Sequence, residues 1–372
     1  MKKRITIVLC MFIINVASAQ NLLPTWLDNV RLSGYGIMQY QYSSQKGAEA
    51  NTFNLRMVRL ALDGRILNDF YWKTQVKFNG NTATLGSSPR LVDLFVEWQK
   101  YNYFRIKLGQ FKRPFTFENP MHPIDQGFMS YGQVVTKLAG FNDRNGAHPS
   151  NGRDIGLQLQ GDILKNGQGR NFIHYQVGVF NGQGINVKDV DQQKDFIGGI
   201  WVMPVAGMRI GAFGWTGSYS RKGTWQDEQG NTLSGTRKLQ QRRYAFSAEY
   251  AINDWTFRSE YIHSTGNAFK TTYQTAGDTK DCTLGTDGDK ADGIYALAIA
   301  PVIKDKLHVK ARYDLYRPTA EWKKARTQYE IGLDYEFARN FEICGEYAFI
   351  NDRGLSTNHN YNMIDVQLSF RF

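Results

Sequence analysis

The chain lacks the features that mark several common classes of protein. After its first residues it has no long apolar run, and its mean hydropathy is −0.46, whereas a membrane-spanning helix needs about 20 apolar residues. Only three cysteines occur, too few for a disulfide framework. The six histidines show no metal-ligand spacing, and no nucleophile is clustered with a base. The sequence therefore predicts no metal site, no cofactor and no enzyme.

Proline is scarce, whereas glycine and aromatic residues are abundant. The chain has 9 prolines against 36 glycines, 20 tyrosines and 23 phenylalanines, and aromatic residues make up 14% of it. A membrane barrel reconciles a polar average with many aromatic residues, because half of each strand faces an aqueous lumen while aromatic girdles mark the two interfaces. A large secreted β protein, such as a lectin or a β-helix, is the alternative.

The C-terminal stretch from Tyr361 to Phe372 alternates between apolar and polar residues. The apolar face carries Ile364, Val366, Leu368, Phe370 and Phe372, and the other carries Met363, Asp365, Gln367, Ser369 and Arg371. Such a strand fits a sheet with lipid on one side and water on the other. Its final phenylalanine also resembles the C-terminal signal by which outer-membrane barrels are recognised. The barrel-assembly machinery is therefore a predicted partner through Phe372.

Segments with the same period of two recur along the chain. Sixteen can be drawn, at about 29–42, 53–66, 70–79, 91–99, 103–111, 153–163, 172–180, 196–204, 208–219, 241–252, 255–264, 293–303, 307–316, 327–337, 341–350 and 362–372. Their connections alternate between short turns and long loops, as periplasmic turns and external loops do in outer-membrane barrels. The sequence predicts an all-β fold: a sixteen-stranded antiparallel transmembrane β-barrel.

The N-terminus predicts export from the cytoplasm. Residues 1–19 read as a signal peptide, with a basic start, an apolar stretch and the small residues Ala17, Ser18 and Ala19 at the cleavage site. Residues 20–372 are predicted to form one domain in the bacterial outer membrane. The net charge of +11 could suit nucleic acid, but an exported protein rarely meets it. Small anions or other polar solutes and lipopolysaccharide are the predicted partners.

Four blocks of the sequence resemble one porin family. They are residues 56–65, 107–115, 153–160 and 175–182, and they look like the phosphate-selective porins O and P. The resemblance covers nearly the whole predicted domain in order. It implies a sixteen-stranded barrel, usually a homotrimer, in which inward loops and rows of arginine and lysine conduct anions.

The longest connection, residues 112–152, follows the fifth segment and is therefore the third external loop. So long a loop in a compact fold is usually functional, and in sixteen-stranded general porins the third loop folds into the lumen and narrows it. Its aromatic and apolar content, including Phe115, Phe117, Phe128 and Phe141, indicates that it packs against something. We expect an inward-folded constriction loop, with an external flap as the alternative.

Strand alternation sorts the charged residues of the predicted lumen into two walls. Basic side chains point inward on the second, third and fifth segments: Arg59, Arg65, Lys73, Lys77, Arg105 and Lys107. The constriction loop adds Lys112, Arg113, Lys137 and Arg144. An opposing acidic wall on the last three segments contains Glu330, Asp334, Glu336, Glu342, Glu346 and Asp365.

Lining charges and constriction width set the selectivity of a pore. The basic wall favours an outer-membrane channel for passive diffusion of small anions, and the family resemblance implies that phosphate is one of them. The acidic wall keeps a second reading open, a general diffusion porin with a transverse field in its lumen and little ion selectivity. A surface adhesin built on a closed barrel is a third reading.

Overall fold

The computed structural model describes residues 27–79, 89–146, 150–271 and 281–372. The predicted signal peptide, residues 1–19, lies outside these ranges and stays a prediction. Within the described ranges, no helix has both the length and the apolar character needed to cross a membrane.

Sixteen strands form one closed antiparallel barrel. Each strand pairs with its neighbour in the chain, and β16 pairs with β1 to complete the ring. The strands are β1 Leu27–Ser43, β2 Ala50–Ile66, β3 Phe70–Asn79, β4 Arg90–Tyr101, β5 Phe104–Lys112, β6 Arg153–Lys165, β7 Asn171–Phe180, β8 Asp195–Val202, β9 Met208–Gln226, β10 Thr232–Ile252, β11 Trp255–Thr265, β12 Lys290–Ile303, β13 Leu307–Arg317, β14 Arg326–Ala338, β15 Phe341–Asp352 and β16 Asn360–Arg371. The predicted sixteen-stranded antiparallel barrel is confirmed.

The outer face of the barrel is apolar. On β14, Tyr329, Ile331 and Leu333 are each more than half exposed, whereas Glu330 between them is 5% exposed. The same alternation recurs on the other strands, because successive side chains of a strand point to opposite faces. Lipid covers the outer face, since a transmembrane barrel turns its apolar side chains outward.

Glycine and phenylalanine close the ring between the first and last strands. The amide groups of Gly34 and Phe372 exchange two hydrogen bonds, each of 3.0 Å. A Cβ atom on Gly36 would lie 2.6 Å from the ring of Phe370. Glycine therefore leaves room on β1 for the aromatic side chains that end β16.

The hairpin of β9 and β10 is longer than the sequence predicts. Residues 220–240 read as a loop, yet the two strands remain paired until Gln226 meets Thr232. On one face of this extension, Tyr219 and Leu239 are buried together with Phe269 and Cys282, which come from the connection between β11 and β12. The periodic signal disappears although the backbone pairing continues.

Candidate functional site

The connection between β5 and β6 packs as a small apolar core. It contains one short helix, α1 (Gln133–Leu138), which the sequence did not predict. Phe115, Val134 and Leu138 are completely buried. They belong to one cluster with residues from the inward-facing side of six strands: Phe180, Ile197, Phe213, Trp215, Ala245, Ile262 and Leu297. The sequence did not predict this apolar patch on the inner face, because the residues that face an aqueous lumen were expected to be polar.

Four basic residues on the inward-facing side of β10, β11 and β13 bind backbone carbonyl groups of this loop. Arg243 donates to Leu138 O at 2.9 Å, Lys310 to Gly127 O at 2.8 Å and Arg312 to Ser130 O at 2.6 Å, and Arg258 donates to Gln126 O. We call Arg243, Arg258, Lys310 and Arg312 the clamp residues. Buried cations need such partners, because desolvation without hydrogen bonds is costly.

Carboxylates bind the backbone N–H groups of the same loop. Glu260 on β11 accepts from the amides of Phe117 (2.6 Å) and Glu118 (2.9 Å). Asp314 on β13 accepts from Gln133 at 2.8 Å, and Glu346 on β15 accepts from Met129 at 2.9 Å. These bonds join the loop to strands on the side of the barrel opposite β5.

Three members of the predicted acidic wall are paired with cations. Glu330 pairs with Arg312. Asp334 is 2.8 Å from Nδ1 of His308, and Glu346 is 2.8 Å from Nζ of Lys310. Sequence analysis missed these partners on β13, although His308, Lys310 and Arg312 alternate with apolar residues on that strand.

The other three acidic residues form no ion pair within the described ranges. Asp365 accepts a hydrogen bond of 2.9 Å from the side-chain amide of Gln39. Glu336 and Glu342 are half-buried near the periplasmic ends of β14 and β15. Three of the six carboxylates of the acidic wall therefore have a basic partner, and the other three have no ion pair within the described ranges.

Two of the predicted basic residues have acidic partners. Arg105 binds Asp162 at 2.8 Å, and Lys107 lies 3.5 Å from Glu97. Arg65 instead donates to Asn68 O at 2.9 Å and to the side chain of Gln99 at 3.0 Å.

The remaining basic residues, Arg59, Lys73 and Lys77 on β2 and β3, form no ion pair with a described residue. Arg59 is 1% exposed, and its Nε and one terminal nitrogen lack a hydrogen-bond partner in the described structure. Lys73 and Lys77 are half-buried. We call these three residues the basic strip. It carries uncompensated positive charge on the inward-facing side of adjacent strands.

Most of the predicted cations of the loop are bound to protein atoms. Lys112 donates to Asn119 O at 2.7 Å and Met121 O at 2.6 Å, and Arg113 pairs with Asp154 at 2.9 Å. Arg144 donates to the carbonyl groups of Gly266 and Gly288 at 2.7 and 3.1 Å. Lys137, at the end of α1, is exposed. The conformation of the loop is thus stabilised by Lys112, Arg113 and Arg144.

Two cavities lie on either side of the loop segment 120–125. The first, of about 200 Å³, is lined mainly by basic and amide side chains, including Lys73, Lys107, His122 and Arg153. Burial and then the charges of Lys73, Lys112, Arg59 and Arg153 lower the pKa of His122 to about 3. The imidazole is therefore neutral at physiological pH, chiefly because it is buried and in addition because basic groups surround it.

The second cavity has mixed charge. It has a volume of about 290 Å³, and its wall includes Asp254, His308, Asp334, Glu342 and Arg371. His308 lies between the carboxylates of Asp254 (3.0 Å) and Asp334 (2.8 Å). Carboxylates outnumber lysine and arginine here, so the two cavities differ in the sign of their charge.

Glu118 is a titratable group of the loop itself. Its Oε2 accepts from the Gly132 amide at 2.9 Å, its Oε1 has no hydrogen-bond partner in the described structure, and the nearest cation, Arg258, is 3.9 Å away. Burial raises the pKa of Glu118 to about 7, with a further rise from Glu260 and an opposing effect of Arg258.

This pKa predicts a pH-dependent attachment of the loop. Because it lies above the ordinary value of 4.5, the proton on Glu118 stabilises the folded loop fully below that pH, and this stabilisation is lost as the pH rises through about 7. We expect the Tm, followed by tryptophan fluorescence in detergent, to fall by a few degrees between about pH 5 and pH 8. Glu118→Gln, which stays neutral, should show a smaller fall; an equal fall in both proteins would contradict the assignment.

Comparisons with known proteins agree with this architecture. The family model described as Gram-negative porin matches residues 6–355, whereas a search of curated proteins found no match. Salmonella typhi OmpF, solved in complex with daunomycin, is similar in structure, with a TM-score of 0.61 at 13% identity over 94% of this chain and 99% of that one.

Two further porin-like structures have the same fold. The outer-membrane channel DcaP of Acinetobacter baumannii gives a TM-score of 0.56 at 12% identity over 92% of this chain and 97% of its own. The trimer form of Vibrio cholerae OmpT, an outer-membrane protein, gives 0.55 at 13% identity over 92% and 99%. The assignment to a family rests on the family model, because sequence identities of 12–13% to these structures show only that the folds are alike. The chain belongs to the Gram-negative porin family and is a channel of the bacterial outer membrane.

Proposed function

We propose that this porin is a diffusion channel whose lumen is narrowed by the loop 112–152 and which moderately prefers small anions, among them phosphate. One observation supports the preference: Arg59, Lys73 and Lys77 form no ion pair with a described residue, and two guanidinium nitrogens of Arg59 have no hydrogen-bond partner there. Two of the six residues of the acidic wall, by contrast, are paired with clamp residues, Glu346 with Lys310 and Glu330 with Arg312. The uncompensated charge therefore favours anions beside β2 and β3.

The loop's contacts support its place in the lumen. It leaves the barrel at β5 and returns at β6, yet it hydrogen-bonds to inward-facing side chains on β10, β11, β13 and β15. An external flap would have no access to those side chains, which lie far from β5 around the ring. The segment 120–125 then separates the two cavities and defines the narrow part of the path.

A transverse-field porin remains the second candidate. Glu336, Glu342 and Asp365 form no ion pair within the described ranges, and they lie on β14 to β16, which β1 alone separates from β2 in the closed ring. The acidic residues are therefore beside the basic strip along the wall, whereas the sequence predicted that they lie opposite it across the lumen. A field between opposite charges orients polar solutes without selecting the sign of an ion. The anion-preferring channel and the transverse-field porin predict different reversal potentials.

The family resemblance and one similar solved structure support a proposal about the oligomeric state of this porin. The phosphate-selective porins that the sequence resembles are usually trimers, and Vibrio cholerae OmpT has been solved in a trimer form. A homotrimer is proposed here on that basis, together with recognition by the barrel-assembly machinery through Phe372, which closes the ring. Residues 1–19 are proposed to direct export.

The reversal potential of the purified porin in a planar bilayer under a KCl gradient tests the preference. We expect a potential of the sign that shows chloride permeating faster than potassium, because uncompensated lysine and arginine line the path. Added phosphate should then reduce the chloride current. A potential near zero or of the opposite sign would favour the transverse-field reading and leave the phosphate resemblance without support.

A further inference from the structure

The basic one of the two cavities beside the loop segment 120–125, here called the basic cavity, is lined by side chains of five adjacent strands. They include Lys73 of β3, Phe95 of β4, Lys107 and Phe111 of β5, Gln158 of β6 and Gln176 of β7. Its volume of about 200 Å³ is below the roughly 300–1,000 Å³ of sites for drug-sized ligands. The basic cavity therefore suits a solute of about one ring.

Most cations that line this cavity are occupied by protein partners. Arg153 binds both carboxylate oxygens of Asp93, at 2.6 and 2.9 Å. Lys112 donates to two carbonyl groups and one hydroxyl group of the loop, which uses all of its N–H groups. Arg113 is paired with Asp154 at 2.9 Å. These three cations stabilise the wall of the cavity and are not available to a solute.

Lys73 is different. It is half-buried, and it forms neither an ion pair nor a hydrogen bond with a described residue. Its ammonium group therefore has N–H donors left for an anion. The second lysine of the wall, Lys107, lies 3.5 Å from Glu97 and is partly compensated. One available cation favours a solute with a single negative charge.

A chain of hydrogen bonds fixes the orientation of Gln158. The carboxylate of Glu97 only accepts hydrogen bonds, so the side-chain nitrogen of Gln160 donates to it, at 2.6 Å. The side-chain oxygen of Gln160 then accepts from Gln158 Nε2, also at 2.6 Å. Gln158 is 3% exposed, and its Oε1 has no hydrogen-bond partner in the described structure. A buried acceptor without a donor is costly, and a hydroxyl group of a solute would satisfy it.

Two aromatic rings form the apolar part of the wall. Phe95 and Phe111 have ring centres 5.9 Å apart, and Nζ of Lys107 lies 5.0 and 5.3 Å from them. The C–H face of a sugar ring packs on such a surface, while its hydroxyl groups reach polar side chains around the edge. Gln176, which forms no hydrogen bond with a described residue, adds a second amide to this edge.

We propose that the basic cavity binds a hexuronate, a six-carbon sugar with one carboxylate, as it passes through the channel. The carboxylate binds Lys73, a hydroxyl group donates to Gln158 Oε1, and the ring packs against Phe95. The inference rests on the proposed function, since it names the solute class of the anion-preferring path. Acetate supplies only the charge, glucose only the hydroxyl groups, and inorganic phosphate has no apolar ring face, so each binds more weakly.

Block of the KCl current through the unmodified porin in a planar bilayer tests the proposal with D-glucuronate as the probe. We expect glucuronate to halve the current at a concentration about tenfold or more below that of acetate, glucose or inorganic phosphate. Chloride preference without this difference would overturn the inference and leave the proposed function standing. A reversal potential near zero would instead overturn the anion preference on which the inference rests.

Two variants locate the binding site. Gln158→Met removes the acceptor at nearly constant volume, and Gln328→Met makes the same change on the inward-facing side of β14, outside the basic cavity. The half-blocking concentration of glucuronate should rise about tenfold in Gln158→Met, since a hydrogen bond to a buried group is lost, and stay the same in Gln328→Met. The current before glucuronate is added shows that each variant is folded. No rise in Gln158→Met, or an equal rise in both variants, would contradict the proposal.

Discussion

Replacing residues 116–150 by a short flexible linker is expected to raise single-channel conductance several-fold. In the proposed constriction the loop narrows the lumen, since it packs as an apolar core and side chains on β10, β11 and β13 bind its backbone. Without the loop those side chains gain water in place of backbone partners, so the barrel itself keeps its pairing. Planar-bilayer recording of single channels measures the change.

A matched deletion separates this effect from loop shortening in general. Residues 354–358 belong to the exposed connection between β15 and β16, and their removal should leave conductance nearly unchanged. If the large deletion also leaves conductance unchanged, the loop 112–152 does not narrow the path. The proposed constriction would then have to be abandoned.

Lys73→Glu with Lys77→Glu is expected to shift the reversal potential from chloride preference toward potassium preference. The two lysines lie on the inward-facing side of β3 and form no ion pair with a described residue, although Lys73 is in register with Asp63. Their replacement by glutamate changes the sign of the charge beside the path. A KCl gradient across a planar bilayer gives the potential before and after the substitutions.

The control makes the same change of charge at two positions that are not expected to affect ion selectivity. Lys100 and Lys165 are exposed at the periplasmic ends of β4 and β6. Lys100→Glu with Lys165→Glu should produce a much smaller shift, because water and salt screen exposed charges. Equal shifts from both pairs would mean that the rim of the barrel, rather than the basic strip, sets the selectivity.

The sequence predicted those parts of the barrel on which lipid and water impose different demands. All sixteen strands were located because the outer face must be apolar, as on β14 with Tyr329, Ile331 and Leu333. The external half of β10 was not located, because one of its faces packs against Phe269 and Cys282 of the connection between β11 and β12 rather than against lipid. Helix α1 was also missed, because its apolar residues contact a core that exists only after the loop meets the strands.

The charges of the lumen show a second limit of prediction. The alternation along β14 predicted that Glu330 and Asp334 point inward. Their ion-pair partners, however, depend on the register between β13 and β14. Arg312 is in register with Glu330, and His308 with Asp334. That register cannot be read from a connection as irregular as the one between β13 and β14, so the acidic wall looked more charged than it is. The predicted basic wall had the same limit: Arg105 and Lys107 have acidic partners on neighbouring strands, and only Arg59, Lys73 and Lys77 form no ion pair with a described residue.

The pairing of Gly34 with Phe372 has a consequence for how the protein folds. The two strands come from opposite ends of the chain, so the last pair of the ring cannot form before nearly all the others exist, and contacts of such long range slow folding. Until then β1 and β16 each present a row of unpaired N–H and C=O groups, which lipid penalises heavily. The two open edges are therefore the costly feature of a partly assembled barrel in lipid, and the pairing of Gly34 with Phe372 removes both edges in one step.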